Sequence, residues 1–585
     1  MGLPKVAYFS MEIAMDQSLS TYSGGLGFLA GSHMQSAGYL QLPIVGVTML
    51  WSYGYYNQRI NEEGNVDVAY IRKHYDFLQS VDASVTVDIF GEKVVVKAFR
   101  VDPSLFGTCP VYLLTTDVEE NSEWARSISH KLYDGNEKIR IAQETVLGVG
   151  GVRLLQAIKY DFDCVHMNEG HALPAAFELL RQYNGDLDQV KRKVVFTTHT
   201  PVAAGNEVPW VDTLLEGGFF AGCSRERAVE LGGEHFSLTV AALRMSRIAN
   251  AVSQLHGLVA NKMWSWVEGR CPIRAITNAV NLHYWQDKRM NGDKSFDELL
   301  AAKREMKEEL FKYVANVAGK RFNPEVFSYI ANTTGKRFDP NVLTITWARR
   351  FADYKRAWLI FMDMDRILKL LNADKVQLIF AGKFHPDDAM GREMFNNILH
   401  KSYNIKNVAV LAGYELELSA KLKRATDVWL NTPIRPLEAS GTSGMSANMN
   451  GALHLSIYDG WTVEGTFPGI NGYTVEYPGL DDDIPWEERH WKDHDCIMDI
   501  IENQIIPTYY DNKLEWARMM RQAVRTSEAY FNSDRMVIEY FNRIYKPIAH
   551  ESAKEGGLNP DASMTSDPSI NDQPNMDAWT YSNIK

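Results

Sequence analysis

The stretch 342–356 reads Val342-Leu343-Thr344-Ile345-Thr346-Trp347-Ala348-Arg349-Arg350-Phe351-Ala352-Asp353-Tyr354-Lys355-Arg356. Its first five residues are apolar or β-branched, which predicts a buried strand, and a segment with helical periodicity follows. The same arrangement recurs along the chain, with strands predicted at 6–10, 43–47, 193–197 and 376–381. Strands that alternate with helices are typical of parallel α/β units, so the sequence predicts an α/β fold class.

Two cations, Arg350 and Lys355, follow the strand predicted at 342–346. The carboxyl end of a strand is the usual binding edge of an open α/β sheet. Arginine holds a phosphate through two parallel hydrogen bonds, and lysine holds it as a point charge. We expect a helix to begin here, and its macrodipole disfavours cations unless an anion is bound. The segment therefore predicts an anion site, with ion pairing at the surface as the alternative.

The order of predicted elements divides the 585 residues into several regions. These are an N-terminal α/β lobe at 1–290 with an inserted hairpin at 85–114, a linker at 291–341, a C-terminal α/β lobe at 342–530, a closing helix within 531–550 and a mobile tail at 551–585. The charged residues at 303–309 are interpreted as a solvated helix face. Residues 313–326 and 329–342 repeat one pattern, which indicates a local duplication without assigned chemistry.

Composition and charge exclude several classes of protein. Lys and Arg number 61 and Asp and Glu number 73, so the net charge is −12 and no broad nucleic-acid surface is expected. The five cysteines form no CxxC pair, which argues against a disulfide framework and a structural zinc site, and no metal is expected. No apolar run reaches about 18 residues, and the N-terminus lacks the apolar segment of a signal peptide. We expect a cytoplasmic protein without a membrane partner.

Glycines cluster at Gly24, Gly25, Gly27 and Gly31, around the start of a helix that we expect at 32–40. Clustered glycines let backbone N–H groups approach an anion at a helix N-terminus. A tight turn that serves packing is the alternative meaning of this motif.

A carboxylate followed by small residues distinguishes the stretch 435–452. Glu438 precedes Ser440, Gly441 and Thr442, and a helix-like run follows. Small residues expose backbone N–H groups to the oxygens of a ligand, and Glu438 is suited to accept hydrogen bonds from sugar hydroxyls. A helix-capping turn explains the same pattern equally well.

Taken together, these motifs make the sequence resemble the α-glucan (glycogen/maltodextrin) phosphorylase family, in its short bacterial and archaeal branch. The resemblance covers most of residues 5–548. It implies two Rossmann-like lobes with a deep cleft between them, the GT-B type of glycosyltransferase fold. The motifs that carry it are Tyr22-Ser23-Gly24-Gly25-Leu26-Gly27, Arg140-Ile141-Ala142-Gln143-Glu144, Leu147-Gly148-Val149-Gly150-Gly151, Asn168-Glu169-Gly170-His171, Thr197-Thr198-His199-Thr200-Pro201, Ile276-Thr277-Asn278, Arg349-Arg350, Tyr354-Lys355-Arg356 and Glu438-Ala439-Ser440-Gly441-Thr442-Ser443-Gly444.

The resemblance implies a sugar bound between the lobes with a phosphate beside it. Arg350, Lys355 and His199 are then the expected catalytic residues. By the resemblance, Asn278 and His199 hold the 6-hydroxyl of the sugar. Glu438 and Tyr354 hold its 2- and 3-hydroxyls, with help from the backbone of Ser440 and Gly441, and Gly24 and Gly25 help to hold the phosphate. Thr442 belongs to the same expected set of substrate-binding residues.

One position departs from the family. Where the resembling proteins carry a lysine that forms a Schiff base with pyridoxal phosphate, this chain has Ser446. Serine has no amine, and the next three residues, at 447–449, offer none. The family uses the phosphate of the cofactor, not its imine, as the acid–base partner of the substrate phosphate. We therefore expect no cofactor, or pyridoxal phosphate only as a non-covalent ligand.

Three functions are consistent with this departure. The leading hypothesis is a retaining hexosyltransferase that works without pyridoxal phosphate and takes glucose or a related hexose from a sugar nucleotide, with Arg350 and Lys355 stabilising the departing phosphate. The second is an α-glucan phosphorylase that releases glucose 1-phosphate, and the third is a non-catalytic glucan-binding relative. The expected ligands are a sugar nucleotide or sugar phosphate and a saccharide or small-molecule acceptor, and a homodimer is left open.

Overall fold

The computed structural model describes residues 2–202, 206–318, 330–331 and 338–546. Within these residues the strands form a nine-stranded sheet, a seven-stranded sheet and a separate two-stranded pair. The strands are β1 (Val6–Phe9), β2 (Ile44–Met49), β3 (Asn57–Ile60), β4 (Val66–Ala69), β5 (Gln79–Ile89), β6 (Glu92–Val101), β7 (Val111–Thr115), β8 (Cys164–Asn168), β9 (Val194–Thr197), β10 (Ile248–Ala251), β11 (Ile273–Ala275), β12 (Ile330–Ala331), β13 (Leu343–Ala348), β14 (Val376–Ala381), β15 (Val408–Leu411), β16 (Val428–Asn431), β17 (Leu453–Ile457) and β18 (Gly472–Val475).

The first sheet has the order β11-β10-β9-β8-β1-β2-β7-β6-β5. Strands β1, β2 and β8 are buried along their whole length, as expected of parallel strands covered on both faces. The sheet is parallel from β11 to β7, and β6 and β5 extend it in antiparallel fashion. The predicted hairpin is present, because β5 and β6 are joined through Phe90 and Gly91, both with positive φ.

The second sheet has the order β12-β15-β14-β13-β16-β17-β18. Its strands are parallel except for the short β12, which pairs antiparallel with β15. The central strand β13 lies between β14 and β16, and Leu343 pairs in register with Val376. The two sheets confirm the predicted mixed α/β class.

Helices connect the strands and cover the sheets. Two of them, α4 and α19, continue through π-helical turns at Val146–Gly150 and Ile501–Ile505. The α-helices are α1 (Gly25–Tyr39), α2 (Pro103–Phe106), α3 (Glu123–Ser127), α4 (Glu137–Thr145), α5 (Gly151–Ala157), α6 (Pro174–Gln182), α7 (Leu187–Lys193), α8 (Val211–Glu216), α9 (Arg225–Gly232), α10 (Leu238–Met245), α11 (Gln254–Met263), α12 (Leu282–Trp285), α13 (Phe296–Ala318), α14 (Met364–Asn372), α15 (Ala389–Ser402), α16 (Leu416–Ala425), α17 (Ser443–Asn448), α18 (Thr462–Gly465), α19 (Trp486–Ile500), α20 (Ile506–Asp511), α21 (Lys513–Ala529) and α22 (Ser533–Tyr540).

The C-terminal helix α22 packs against the first sheet, far from its own position in sequence. Met536, Val537 and Tyr540 share a hydrophobic cluster with Val6 and Tyr8 of β1. A π-helical turn, Phe541–Tyr545, extends the helix. This segment corresponds to the predicted closing helix. The predicted duplication at 313–342 falls largely outside the described residues, and the predicted tail at 551–585 lies wholly outside them. None of the helices in the described ranges is both long and apolar enough to cross a bilayer.

The interpretation of 303–309 as a solvated face is wrong for two of its residues. Lys303 and Lys307 lie on the inner side of α13, with 3% and 1% of their surfaces exposed. Lys303 donates hydrogen bonds to three backbone carbonyls, and Lys307 pairs with the buried Asp427. The buried lysines bind acceptors from segments that are distant in sequence. The charge pattern of residues 303–309 alone therefore could not tell the buried lysines from exposed ones.

Replacing Lys307 by methionine is expected to destabilise the protein by about 3–5 kcal/mol, because the Asp427 carboxylate stays buried without its cation. The measurement is the thermal unfolding temperature of the variant at neutral pH. The matched control is Arg304→Ala on the same helix, because Arg304 is exposed and pairs only with Glu308 one turn away. A Lys307→Met variant no less stable than this control would contradict the prediction.

Candidate functional site

A cavity of about 1000 Å³ is lined by residues that follow strands of the first sheet and by residues that follow strands of the second. Nine of the eleven predicted site residues line it, and Asn278 and Ser440 are not among the described residues of its wall. The nine are Gly24, Gly25, His199, Arg350, Tyr354, Lys355, Glu438, Gly441 and Thr442. Motifs more than 400 residues apart in sequence therefore meet at one place.

The glycine-rich loop contains glycines of two kinds. A Cβ atom on Gly31 would lie 1.7 Å from the carbonyl oxygen of Ala14, so this glycine permits close packing of α1. A Cβ atom on Gly24 or Gly25 would meet no atom within 4 Å, because both face the open cavity. The helix begins at Gly25 rather than at residue 32, which corrects the predicted helix start, since the glycines that suggested a loop are accommodated inside the helix.

Glu12 already uses part of the hydrogen-bonding capacity of this loop. Its carboxylate lies three residues beyond β1 and is 2% exposed. The N–H groups of Ser23 and Gly24 donate to Glu12 Oε2 at 2.6 and 3.1 Å, and the hydroxyl of Tyr133 donates to Oε1 at 2.9 Å. A ligand at the loop can therefore use the N–H groups of residues 25–27, at the start of α1. The first intrahelical bond runs from the Phe28 N–H to the Gly24 carbonyl.

Glu438 lies at the centre of a buried ion cluster. Its Oε2 accepts from Arg349 Nη2 at 2.7 Å and from Lys355 Nζ at 2.8 Å. Burial alone would raise the pKa of Glu438, but the two cations lower it to about 2, so the carboxylate is ionised at neutral pH. Among the described residues none donates to Oε1, which leaves this oxygen for a hydroxyl of a ligand.

The cation segment after β13 is not the start of an α-helix. Residues Asp353–Lys355 form a single 3-10 turn that ends at Arg356, whose φ is +47°. Arg356 is buried and pairs with Asp493 at 2.7 Å, which holds the chain in this left-handed conformation. The prediction that an α-helix begins here is therefore wrong, and no helix dipole acts on these cations. Arg350 is exposed at the cavity wall and forms no ion pair with a described carboxylate.

His199 lines the cavity as a neutral imidazole. Its Nε2 lies 2.8 Å from Asn168 Oδ1, and because an amide oxygen only accepts, Nε2 carries the proton. Burial lowers the pKa of His199 to about 3. Its backbone N–H donates to the Glu169 carboxylate at 2.5 Å, which fixes the turn after β9. This tautomer leaves Nδ1 as an acceptor for a hydroxyl group, and the sugar contact of His199 stays a prediction.

Asn278 and Ser440 are not among the described residues that line the cavity. Both are buried, with 4% and 3% of their surfaces exposed. Asn278 Oδ1 and Ser440 Oγ have no hydrogen-bond partner among the described residues. Buried polar atoms without partners are uncommon, so these two atoms are suited to a ligand or to water. Their roles toward a sugar stay predictions.

The side chain of Ser446 points into its own helix. Its hydroxyl donates to the carbonyl oxygens of Thr442 and Ser443 at 3.2 and 3.1 Å, and the residue is fully buried in α17. The position therefore does not fit covalent attachment of an aldehyde cofactor. Arg349 does fit a phosphate, because its buried Nε and Nη1 have no acceptor among the described residues.

Several residues of the site were not assigned a role from the sequence. Arg349 stands directly before Arg350, and only the structure shows which of the two pairs with Glu438. Glu12 could have been found, since it follows the carboxyl end of a predicted strand. Lys383, Lys423 and Glu169 also line the cavity. Lys423 lies inside a helix at a position that no motif marks.

One cluster of metal-ligand type borders the cavity. Glu144, His171 and Glu207 each place one ligand atom within 4.8 Å of the others. Arg140 Nη2 lies 2.6 Å from Glu207 and 3.9 Å from Glu144, so a cation of the protein already serves both carboxylates. We assign no metal to this cluster.

Comparison with known proteins extends this description. Residues 274–466 match the sequence model of a family described as carbohydrate phosphorylase. The chain is 43% identical over 545 residues to an uncharacterized protein of Methanocaldococcus jannaschii, with 92% of this chain and 99% of that protein covered.

Two relatives have named activities. A maltodextrin phosphorylase of Thermococcus litoralis is 34% identical over 598 residues, with 92% of this chain and 70% of that protein covered. A glycogen phosphorylase of Aquifex aeolicus is 33% identical over 610 residues, with 93% of this chain and 87% of that protein covered. The matches with these two relatives thus cover more than nine tenths of this chain.

Proposed function

Because the chain belongs to the carbohydrate phosphorylase family, together with the maltodextrin and glycogen phosphorylases, we propose that it is an α-glucan phosphorylase. It transfers a terminal glucosyl unit of an α-glucan to inorganic phosphate and releases glucose 1-phosphate. The observation that supports this most is the ion cluster at the cavity wall, where Arg349 and Lys355 meet the carboxylate of Glu438.

The charges of the cavity suit a phosphate as the second substrate. Arg349, Arg350 and Lys355 bring three cations to its wall, and Glu438 neutralises only one charge. Arginine and lysine aimed at a phosphate stabilise charge that develops on it as a glycosidic bond forms or breaks. In this proposal Arg350 and Lys355 hold the phosphate, and the exposed Arg350 is the first cation that it meets.

The free hydrogen-bond acceptors of the cavity suit a sugar. Glu438 Oε1 and His199 Nδ1 are acceptors for hydroxyl groups, and the backbone at Gly441 and Thr442 is open to the cavity. Glu438 is already held by two cations, so we assign it to hydroxyl binding and not to nucleophilic attack. Transfer then takes place on one face of the sugar through an oxocarbenium-like state, with retention of configuration. The two-lobed GT-B arrangement belongs to the same proposal.

Pyridoxal phosphate, when bound in this family, supplies a phosphate group that exchanges a proton with the substrate phosphate. The unpaired donors of Arg349 are the groups in this chain that would hold such a phosphate. Ser446 supplies no covalent link, and the roles given above to Arg350, Lys355, Glu438 and His199 do not depend on one.

The sugar-nucleotide hypothesis has less support than phosphorolysis. None of the three relatives described above carries a sugar-nucleotide activity in its name, and two are named phosphorylases. The hypothesis remains testable in the same experiment as phosphorolysis.

Incubation of the purified chain with maltodextrin and inorganic phosphate is expected to release glucose 1-phosphate in proportion to the phosphate supplied. The reverse reaction, from glucose 1-phosphate and maltodextrin, is expected to release phosphate. Both reactions are run with and without added pyridoxal phosphate. Glucosyl transfer from a sugar nucleotide without phosphorolysis would overturn the proposal in favour of a nucleotide-dependent transferase. Saccharide binding without any turnover would overturn it in favour of a non-catalytic relative.

A further inference from the structure

Five lysines are buried in the described part of the chain, and one of them differs from the rest. Lys303 and Lys307 bind carbonyls or Asp427, Lys355 binds Glu438, and Lys383 binds Glu415 and a carbonyl. For Lys423 no described residue accepts a hydrogen bond or forms an ion pair, although the residue is only 2% exposed. A buried charge without a partner is costly, so this amine calls for a functional reason.

Aromatic rings and the cavity surround the Lys423 amine. Its Nζ lies 3.7 Å from the centre of the Trp285 ring and 5.4 Å from that of Phe28. Both rings belong to a hydrophobic cluster that also contains Met445 of α17. Lys423 itself lines the 1000 Å³ cavity, together with Arg349, Arg350 and Lys355. The amine thus faces the same space as the cations assigned to phosphate.

The surroundings of Lys423 favour the neutral amine. Burial lowers its pKa well below the usual lysine value, and no carboxylate in the described ranges opposes this shift. A neutral lysine is a nucleophile toward carbonyl carbons, and desolvation in an apolar pocket is a common way to obtain one. Lys423 has the chemistry that Ser446 lacks.

The place of Lys423 in the fold connects it with Ser446. Lys423 lies in the last turn of α16, which packs against α17, the helix that carries Ser446. Aromatic faces beside the amine suit a planar ring, and the unpaired Nε and Nη1 of Arg349 on the same cavity wall suit a phosphate group. Residues 446–449 offer no amine, whereas Lys423 brings one to the cavity from a different helix.

We propose that Nζ of Lys423 forms an imine with the aldehyde of pyridoxal 5′-phosphate, so that this chain attaches the family's cofactor from α16 instead of α17. The lone pair of the neutral amine attacks the aldehyde carbon, and an N–C bond forms while the C=O electrons move to oxygen. Both amine hydrogens then leave with that oxygen as water, and no oxidant or reductant takes part. This inference rests on the proposed function, because membership of the phosphorylases is the reason for naming pyridoxal 5′-phosphate as the aldehyde.

The test uses the full-length purified chain and pyridoxal 5′-phosphate at one equivalent. Borohydride reduction converts an imine to a stable secondary amine, and intact mass followed by peptide mapping then locates the label. The expected result is one phosphopyridoxyl group per chain, carried by Lys423, with the imine absorbance band present before reduction. Turnover is not needed for this readout. A labelled chain without phosphorolysis would leave the attachment standing and overturn the proposed function instead.

Two variants complete the experiment. Lys423→Met removes the amine and keeps an unbranched apolar chain, so it is expected to abolish labelling without lowering the thermal unfolding temperature. Lys421→Met is the matched control, because Lys421 lies on the same helix, is partly exposed and pairs with Glu417 one turn away. Its labelling is expected to equal that of the unmodified chain. If Lys423→Met fails to fold, the peptide map of the unmodified chain decides alone. A label on another lysine, or cofactor lost after reduction, would overturn the proposal.

Discussion

Lys355→Ala is expected to lower kcat for phosphorolysis by about 10²–10³-fold. The Lys355 ammonium lies 2.8 Å from Glu438 and lines the cavity beside Arg350, where the proposed function places the phosphate. Charge on the phosphate changes as the glycosidic bond is exchanged, and a fixed cation lowers the free energy of that transition state. The effect falls mainly on kcat, because Arg350 remains to bind the substrate phosphate in the ground state.

The measurement is steady-state kinetics in both directions, with saturating maltodextrin and varied phosphate. Lys421→Ala is the matched control, since it removes an equal charge from the exposed face of α16, and its kcat is expected to equal that of the unmodified chain. Lys355→Arg keeps the charge and is expected to recover part of the activity. Unchanged kcat in Lys355→Ala would show that this lysine only balances the charge of Glu438.

Buried parallel strands were the most predictable part of the fold. The strand expected at 342–346 is Leu343–Ala348, and the one expected at 376–381 has the same bounds in the structure. Such strands are short apolar runs with polar ends, so each carries its own boundary signals. The inward lysines of α13 were not predictable, because most of their acceptors come from segments more than 100 residues away. Even the nearest acceptor, the carbonyl of Val342, is 35 residues from Lys307.

The site was predictable where a motif follows a strand. Arg350 and Lys355 come after β13 and His199 after β9, and the carboxyl ends of strands meet at one edge of a sheet. Which of two adjacent arginines pairs with Glu438 depends on side-chain direction, which spacing does not reveal. Lys423 is harder still, because a lysine in a helix looks like a surface residue until the packing of Trp285 against it is known.

Glu438→Gln is expected to lower kcat by about 10²-fold and, unlike Lys355→Ala, to lower KM for phosphate by about fivefold. The amide keeps the shape of the side chain but loses the charge that binds sugar hydroxyls, and hydrogen bonds to charged groups contribute about 1.5–3 kcal/mol. Loss of the carboxylate also leaves Arg349 and Lys355 without their counter-charge. A phosphate anion is then bound more tightly in the ground state, by about 1 kcal/mol for a fivefold change.

The fall of KM for phosphate together with the fall of kcat distinguishes this role from a structural one. Glu417→Gln provides the matched control, because Glu417 is 61% exposed in its side chain and pairs only with Lys421 on α16, so both constants are expected to stay unchanged. A rise of KM for phosphate in Glu438→Gln would mean that the carboxylate holds Arg349 and Lys355 in the geometry that phosphate needs. Unchanged kcat would mean that Glu438 does not touch the sugar. A fall in both constants would place the carboxylate between sugar and phosphate, where one oxygen holds the cations and the other holds a hydroxyl.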